Sequence, residues 1–293
     1  MLLTPSAVWV SEARCQIGEN PLWDRAQSAL YWIDITGPAV YRMCNQKVER
    51  FECPKPVGSI YLADGHHLLV ALRSGLAWLD LDSGALEKVS FSAPLKDAER
   101  FNDGRCDLAG DIWISTLDRK TQSPLGSIVH FDSGFRGTVT PSQAVIGNGI
   151  CFANDDSALY FSDSRNRTIF RYAKEGPRLG NRTVVSVLDG TAGRPDGCTV
   201  DAEGCLWSAR IMGGCIDRYL PDGRLIDRLQ LPVADPTHCT FGGPDMKTLF
   251  VTTAHAHGDM ASRDPALAGA VLAFEMDVQG VPENRLNCDF RVG

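Results

Sequence analysis

The sequence predicts an all-β protein, a six-bladed β-propeller, on three observations. An apolar strand-like triplet recurs six times, each copy is entered through a polar turn, and helical periodicity is almost absent between the copies. The triplets are Leu30-Tyr31-Trp32, Leu68-Leu69-Val70, Ile112-Trp113-Ile114, Leu159-Tyr160-Phe161, Leu206-Trp207-Ser208 and Leu249-Phe250-Val251. Their starts are separated by 38, 44, 47, 47 and 43 residues, the interval of a four-stranded blade. A β-helix needs a much shorter repeat, and a sandwich shows no constant interval.

In the first repeat, Trp32-Ile33-Asp34 runs through a glycine-containing segment into Val40-Tyr41-Arg42, the pattern of a hairpin. The second and third repeats carry the turns Leu81-Asp82-Ser83-Gly84 and Phe131-Asp132-Ser133-Gly134, whose Asp and Gly supply local hydrogen bonds and positive φ. In the fourth, Phe161-Ser162-Asp163 leads to Ile169-Phe170-Arg171; the fifth turns at Pro221-Asp222-Gly223. Ring closure brings the chain ends into one blade, and the strand-like segments Ala7-Val8-Trp9-Val10 and 270–274 are expected to pair. No segment reads as a linker, so residues 1–293 are expected to form a single domain.

Composition narrows the functional classes. With 293 residues, 44% hydrophobic and 22% charged, the chain has an ordinary globular profile. A net charge of −7 without any run of Lys or Arg argues against nucleic-acid binding. The first sixteen residues include Glu12 and Arg14 and lack the apolar block of a secretory signal, and no apolar run approaches the roughly 18 residues of a membrane span. A cytoplasmic monomer without membrane contact is expected. The ten cysteines contain no CxxC spacing and read as reduced, buried small hydrophobes.

A propeller fixes no chemistry, which must come from groups at one mouth of its channel. Four polar segments stand roughly ten residues before a triplet: Gly18-Glu19-Asn20-Pro21-Leu22-Trp23, Glu99-Arg100-Phe101-Asn102-Asp103-Gly104, Gly147-Asn148-Gly149-Ile150 and Arg194-Pro195-Asp196-Gly197-Cys198. Repetition should bring them to the same end of the channel. Glu19, Asn148 and Asp196 then offer two carboxylates and a carboxamide, an all-oxygen set suited to a hard divalent cation such as Ca²⁺, Mg²⁺ or Mn²⁺. Taken singly, each has a plain structural role open to it: a turn Asp, a left-handed Asn, a surface Glu. The shared blade position favours the site.

These segments, with Asp201-Ala202-Glu203-Gly204-Cys205-Leu206-Trp207 and Gly242-Gly243-Pro244-Asp245, resemble the SMP-30/gluconolactonase family, which includes regucalcin and bacterial aldonolactonases, over almost the whole chain. The resemblance implies a metal held by Glu19, Asn148 and Asp196, and a substrate face formed by Arg100 and Asn102 with Asp103 in support. It implies hydrolysis of a small sugar lactone to the aldonic acid in carbohydrate metabolism. Ca, Zn, Mn, Mg and Fe(II) all remain open as the cation. Two departures bear on the substrate: the family's Glu-Gly-Pro is Glu19-Asn20-Pro21 here, and the acidic loop of animal members is replaced around Thr116-Leu117-Asp118-Arg119-Lys120.

Asp196 is the candidate general base, binding metal through one oxygen and keeping the other free. Two other functional classes stay open: a propeller arylesterase or phosphotriesterase, with an apolar mouth around Trp23, Trp113 and Phe101, and a non-catalytic calcium-binding protein of the regucalcin kind. No G-x-S-x-G elbow supports a serine hydrolase. His255-Ala256-His257 lacks the accompanying carboxylates or cysteines of a zinc site and reads as loop.

Overall fold

A computed structural model describes residues 2–3, 6–73, 75–190, 193–255 and 264–287. Six sheets, each built on four antiparallel strands, follow one another along the chain, and the innermost strand of each packs against its neighbours around a central channel. The innermost strands are Gly18–Asp24, Val57–Leu62, Glu99–Cys106, Gly147–Phe152, Arg194–Val200 and Pro236–Gly242. All six apolar triplets fall in the second strand of their blade, at Ala29–Asp34, His67–Leu72, Ile112–Asp118, Ala158–Asp163, Leu206–Ile211 and Thr248–Thr253. Second strands have a strand on either side and a blade on either face, so Ala29–Asp34 and Ala158–Asp163 are buried throughout and read as continuous apolar runs. Outer strands such as Lys47–Glu52 are largely exposed and mixed in composition, which is why they left no comparable signal.

The ring closes as expected. Trp9–Val10 forms the outer strand of the sixth blade, Trp9 opposite Ala273 and Val10 opposite Leu272. Leu2–Leu3 adds a parallel strand to the edge of the fifth blade, which the sequence did not signal. Blade faces meet through large side chains, with Trp32, Trp113 and Trp207 essentially fully buried. The nine described cysteines are free and mostly buried, and Cys288 lies outside the described residues. Among the described residues no helix is long and apolar enough to cross a membrane.

Two features set up the channel. Each innermost strand breaks register with its neighbour near its start: between Glu19 and Leu22, Val57 and Ser59, Phe101 and Gly104, Asn148 and Cys151, Pro195 and Cys198, and Pro236 and His238. A bulge re-aims the side chains of the bulged strand, and six of them around one ring turn a circle of strands into a circle of inward-facing groups. The other end of the channel is crossed by residues 279–287. That segment bonds in turn to Ala202, Met246, Leu62 and Gly110, on the fifth, sixth, second and third blades.

Candidate active site

The six residues singled out from the sequence, Glu19, Arg100, Asn102, Asp103, Asn148 and Asp196, all lie at or beside the bulges, at one end of the channel. They occupy two levels. Glu19, Asn102, Asn148 and Asp196 retain 5%, 5%, 6% and 5% exposure, whereas Asp103 falls to 1%. The first four reach the channel lumen; Asp103 lies beneath them.

Asp103 is an anchor. Its Oδ2 accepts the backbone N–H of Ile150 at 2.8 Å, and its Oδ1 accepts the N–H of Gly104 at 2.9 Å and Asn20 Nδ2 at 3.1 Å. Burial resists its ionisation, but the neighbouring His238 and Arg105 outweigh burial and hold the carboxyl below its usual range. Glu19 and Asp196 behave oppositely. Burial first, then the charges of Asp196 and Asp103, push Glu19 well above the usual carboxylate range; burial, Asp103 and Asp235 do the same to Asp196. Glu19 Oε2 accepts the Asn20 N–H at 2.8 Å, while Asp196 Oδ1 is buried with no hydrogen-bond partner.

A carboxamide relay joins the third and fourth blades. Arg100 Nη1 donates to Asn102 Oδ1 at 3.1 Å, Asn102 Nδ2 to Asn148 Oδ1 at 2.7 Å, and Asn148 Nδ2 to Ser164 Oγ at 3.0 Å. A carboxamide oxygen has two lone pairs, so Asn148 keeps one for a further partner. Arg100 makes side-chain hydrogen bonds to oxygens of Phe101 and Asn102, and burial with the nearby Arg73 pulls its guanidinium down to about 10.

Two residues of this site were missed in the sequence. His238 is fully buried, its Nε2 is 3.3 Å from Asp103 Oδ1, and its ligand-type nitrogen falls with oxygens of Glu19 and Asp103 inside a 4.8 Å cluster. The Cys239 N–H lies 2.8 Å from His238 Nδ1 and the Cys239 carbonyl oxygen 3.0 Å from it, so the backbone of the next residue fixes the ring with Nε2 directed toward Asp103. The signal was available: His238 stands eleven residues before Leu249, the offset of Glu19 from Leu30 and of Asn148 from Leu159. Asn20, noted only as a departure, has φ 46° and sits in the left-handed region, where Asn substitutes for Gly at least cost. Its side chain accepts the Ile60 N–H at 2.8 Å and donates to Asp103 and Gly104, tying three blades together. Gly197 is obligatory for another reason, because a Cβ there would fall on the His238 ring.

The apolar mouth proposed around Trp23, Trp113 and Phe101 is not formed. Trp23 stacks on Phe250 at 5.6 Å, Phe101 is fully buried against Phe91 and Phe131, and Trp113 donates its indole N–H to Asp107 at 2.9 Å. Bulky aromatics are spent on contacts between blades and do not line the entrance. His255 is exposed; Ala256 and His257 lie outside the described residues.

The donor set suits a hard cation. Three buried carboxylates share one end of the channel, and Arg105 beneath them is itself ion-paired with Glu283. Such an excess of buried negative charge is costly unless a cation compensates it. The partnerless Asp196 oxygen and the spare Asn148 lone pair are the kind of oxygen donors that a divalent ion takes.

Residues 17–255 match the family described as "SMP-30/Gluconolactonase/LRE-like region". The chain is 33% identical to a 6-deoxy-6-sulfogluconolactonase of Pseudomonas putida, covering 91% of this chain and 94% of the relative. It is 32% identical to a pentonolactonase of Haloferax volcanii, covering 97% and 98%. The crystal structure of a calcium-binding protein, regucalcin, from Agrobacterium tumefaciens superposes with a TM-score of 0.86 at 28% identity, covering 97% of this chain and 98% of that one.

Proposed function

Since the chain belongs to the SMP-30/gluconolactonase/LRE-like family, we propose that it hydrolyses a sugar lactone to the aldonic acid with the help of one divalent cation. The observation that carries this reading is the buried Asp196 Oδ1 without a partner, beside Glu19 and above an anchored Asp103. Glu19, Asn148 and Asp196 would hold the ion; Asp103 and His238 would fix the layer beneath.

When bound, the cation supplies Lewis-acid polarisation of the lactone carbonyl. The protein's own groups do the rest. Arg100 and Asn102, joined through Asn102 Oδ1, orient the ring through its carbonyl and hydroxyls. With one oxygen on the cation, Asp196 removes the proton of the attacking water with its other carboxylate oxygen. The anchored Asp103 and the glycine at 197 keep that carboxylate and His238 in register.

The same cation without turnover would make a calcium-binding protein, a reading favoured by the regucalcin likeness. A pH-indicator assay separates the two. EDTA-treated protein is offered a panel of aldono-1,4- and 1,5-lactones with each divalent metal restored, and Asp196→Ala is run in parallel. Metal-dependent acid release that disappears in the variant is the expected result; metal binding with no release above the spontaneous rate would favour the binding protein.

A further inference from the structure

Two of the nine described cysteines stand sulfur to sulfur. Cys151 lies on the innermost strand of the fourth blade and Cys198 on that of the fifth, strands that belong to different sheets and share no ladder. The Cys198 sulfur is 3.1 Å from the Cys151 sulfur and 3.0 Å from the Gly149 carbonyl oxygen. Other thiols end on different partners: Cys44, Cys53 and Cys239 on the carbonyls of Gln27, Phe51 and Trp207, and Cys215 on the carboxylate of Asp217. A disulfide bond of about 2.05 Å would need the two facing sulfurs to approach by only about 1 Å.

The pair is reached from the closed end of the channel. A cavity of about 80 Å³ lies there against the crossing segment, with Arg105, Cys151, Asn154 and Glu283 in its wall together with the exposed Leu108 and Val281. Such a space takes molecules of the size of water or a small peroxide and excludes a tripeptide. Cys151 forms part of that wall; Cys198, essentially fully buried, does not.

We propose that Cys151 and Cys198 form a site of oxidation by a small peroxide, in which Cys151 meets the oxidant and Cys198 resolves it into a disulfide between the fourth and fifth blades. In the first step the Cys151 sulfur takes one oxygen of hydrogen peroxide, the O–O bond breaks, and the second oxygen leaves as water, leaving a sulfenic acid. The Cys198 sulfur then attacks that sulfur; the S–S bond forms, the S–O bond breaks and a second water departs. Two thiols have given two electrons to one peroxide. The bond ties together the strands that carry Asn148 and Asp196, three and two residues from the new link. Nothing in this chemistry depends on turnover of a lactone.

The test is a mass map of the folded, reduced protein after hydrogen peroxide or, in parallel, oxidised glutathione, with alkylation of the remaining thiols. Peroxide is expected to remove about 2 Da as two hydrogens and to link the peptides of Cys151 and Cys198, a change undone by reduction in denaturant. At equal concentration it should act at least ~10-fold faster than oxidised glutathione, because reactivity follows access. In Cys198→Ser the reaction should stop at a sulfenic acid on Cys151 that dimedone labels; in Cys151→Ser dimedone should leave Cys198 unlabelled. A folded protein that forms no link between Cys151 and Cys198 overturns the site, as does a link from either to another cysteine or a dimedone label on Cys198. The wild-type map needs no substitution, so it decides the matter even where a variant fails to fold.

Discussion

The two ends of the channel hold charges of the same kind under opposite rules. At the closed end buried charges are held in ion pairs. Arg105 meets Glu283, Lys174 meets Asp107 at 2.9 Å and Asp156 at 2.6 Å, and Arg218 meets Asp201 at 2.7 Å. Asp107 and Asp201 also accept the indole N–H of Trp113 and Trp207, the same arrangement on two blades. At the open end, Glu19 and Asp196 meet each other's charge and that of Asp103, and the buried Asp196 Oδ1 has no hydrogen-bond partner. Paired charge at the closed end fixes the ring; unpaired charge at the open end waits for a ligand.

Substitutions at the two ends should therefore act in opposite senses. Asp196→Asn is expected to lower kcat/KM by about 10³-fold or more, roughly 4 kcal/mol of transition-state stabilisation. It should also raise the melting temperature of the metal-free protein, since it removes a buried repulsive charge; an active variant, or a metal-free melt that drops, breaks the comparison. Arg105→Met at the closed end leaves Glu283 buried without its partner and should cost about 3–5 kcal/mol in urea unfolding. That loss should appear with or without metal.

Gly197→Ala offers a finer test, because its methyl group forces His238 aside without changing any charge. Overpacking of this kind costs typically 1–3 kcal/mol, and the variant should lose metal affinity in a titration more than it loses Tm. A Tm drop with intact affinity would make His238 a packing residue only.

The smallest effect is in pH. Glu19 and Asp196 have raised pKa values in the folded, metal-free protein, so the folded state holds their protons where the unfolded chain has released them. Their contribution is full below the unfolded values of 4.5 and 3.8 and is lost as pH rises through the folded values. Metal-free Tm should accordingly fall as pH is raised from the acid side, restored metal should reverse the fall, and metal binding should release protons into a weakly buffered solution. A metal-free Tm that climbs over the same range would contradict the assignment of uncompensated charge.

Much of this was legible in the sequence, and the limits have physical reasons. The six triplets were visible because second strands are enclosed on all sides and must be apolar along their length. Glu19, Asn102, Asn148 and Asp196 were visible because repetition fixes the position of a bulge within each blade. His238 shared that position but was passed over because its strand carries no Asn-Gly or Pro-Asp-Gly turn around it.

Sequence by itself determined the blade number, the closure of the ring by Trp9–Val10, and which residues face the channel, because strand pairing and burial are periodic and leave a periodic trace. Only the tertiary structure decided which charges are answered. Arg105 finds Glu283 from 178 positions away along the chain, whereas Glu19 meets the charges of Asp103 and Asp196 from two other blades. Charge compensation is a property of distances in space, and no spacing along the chain records it.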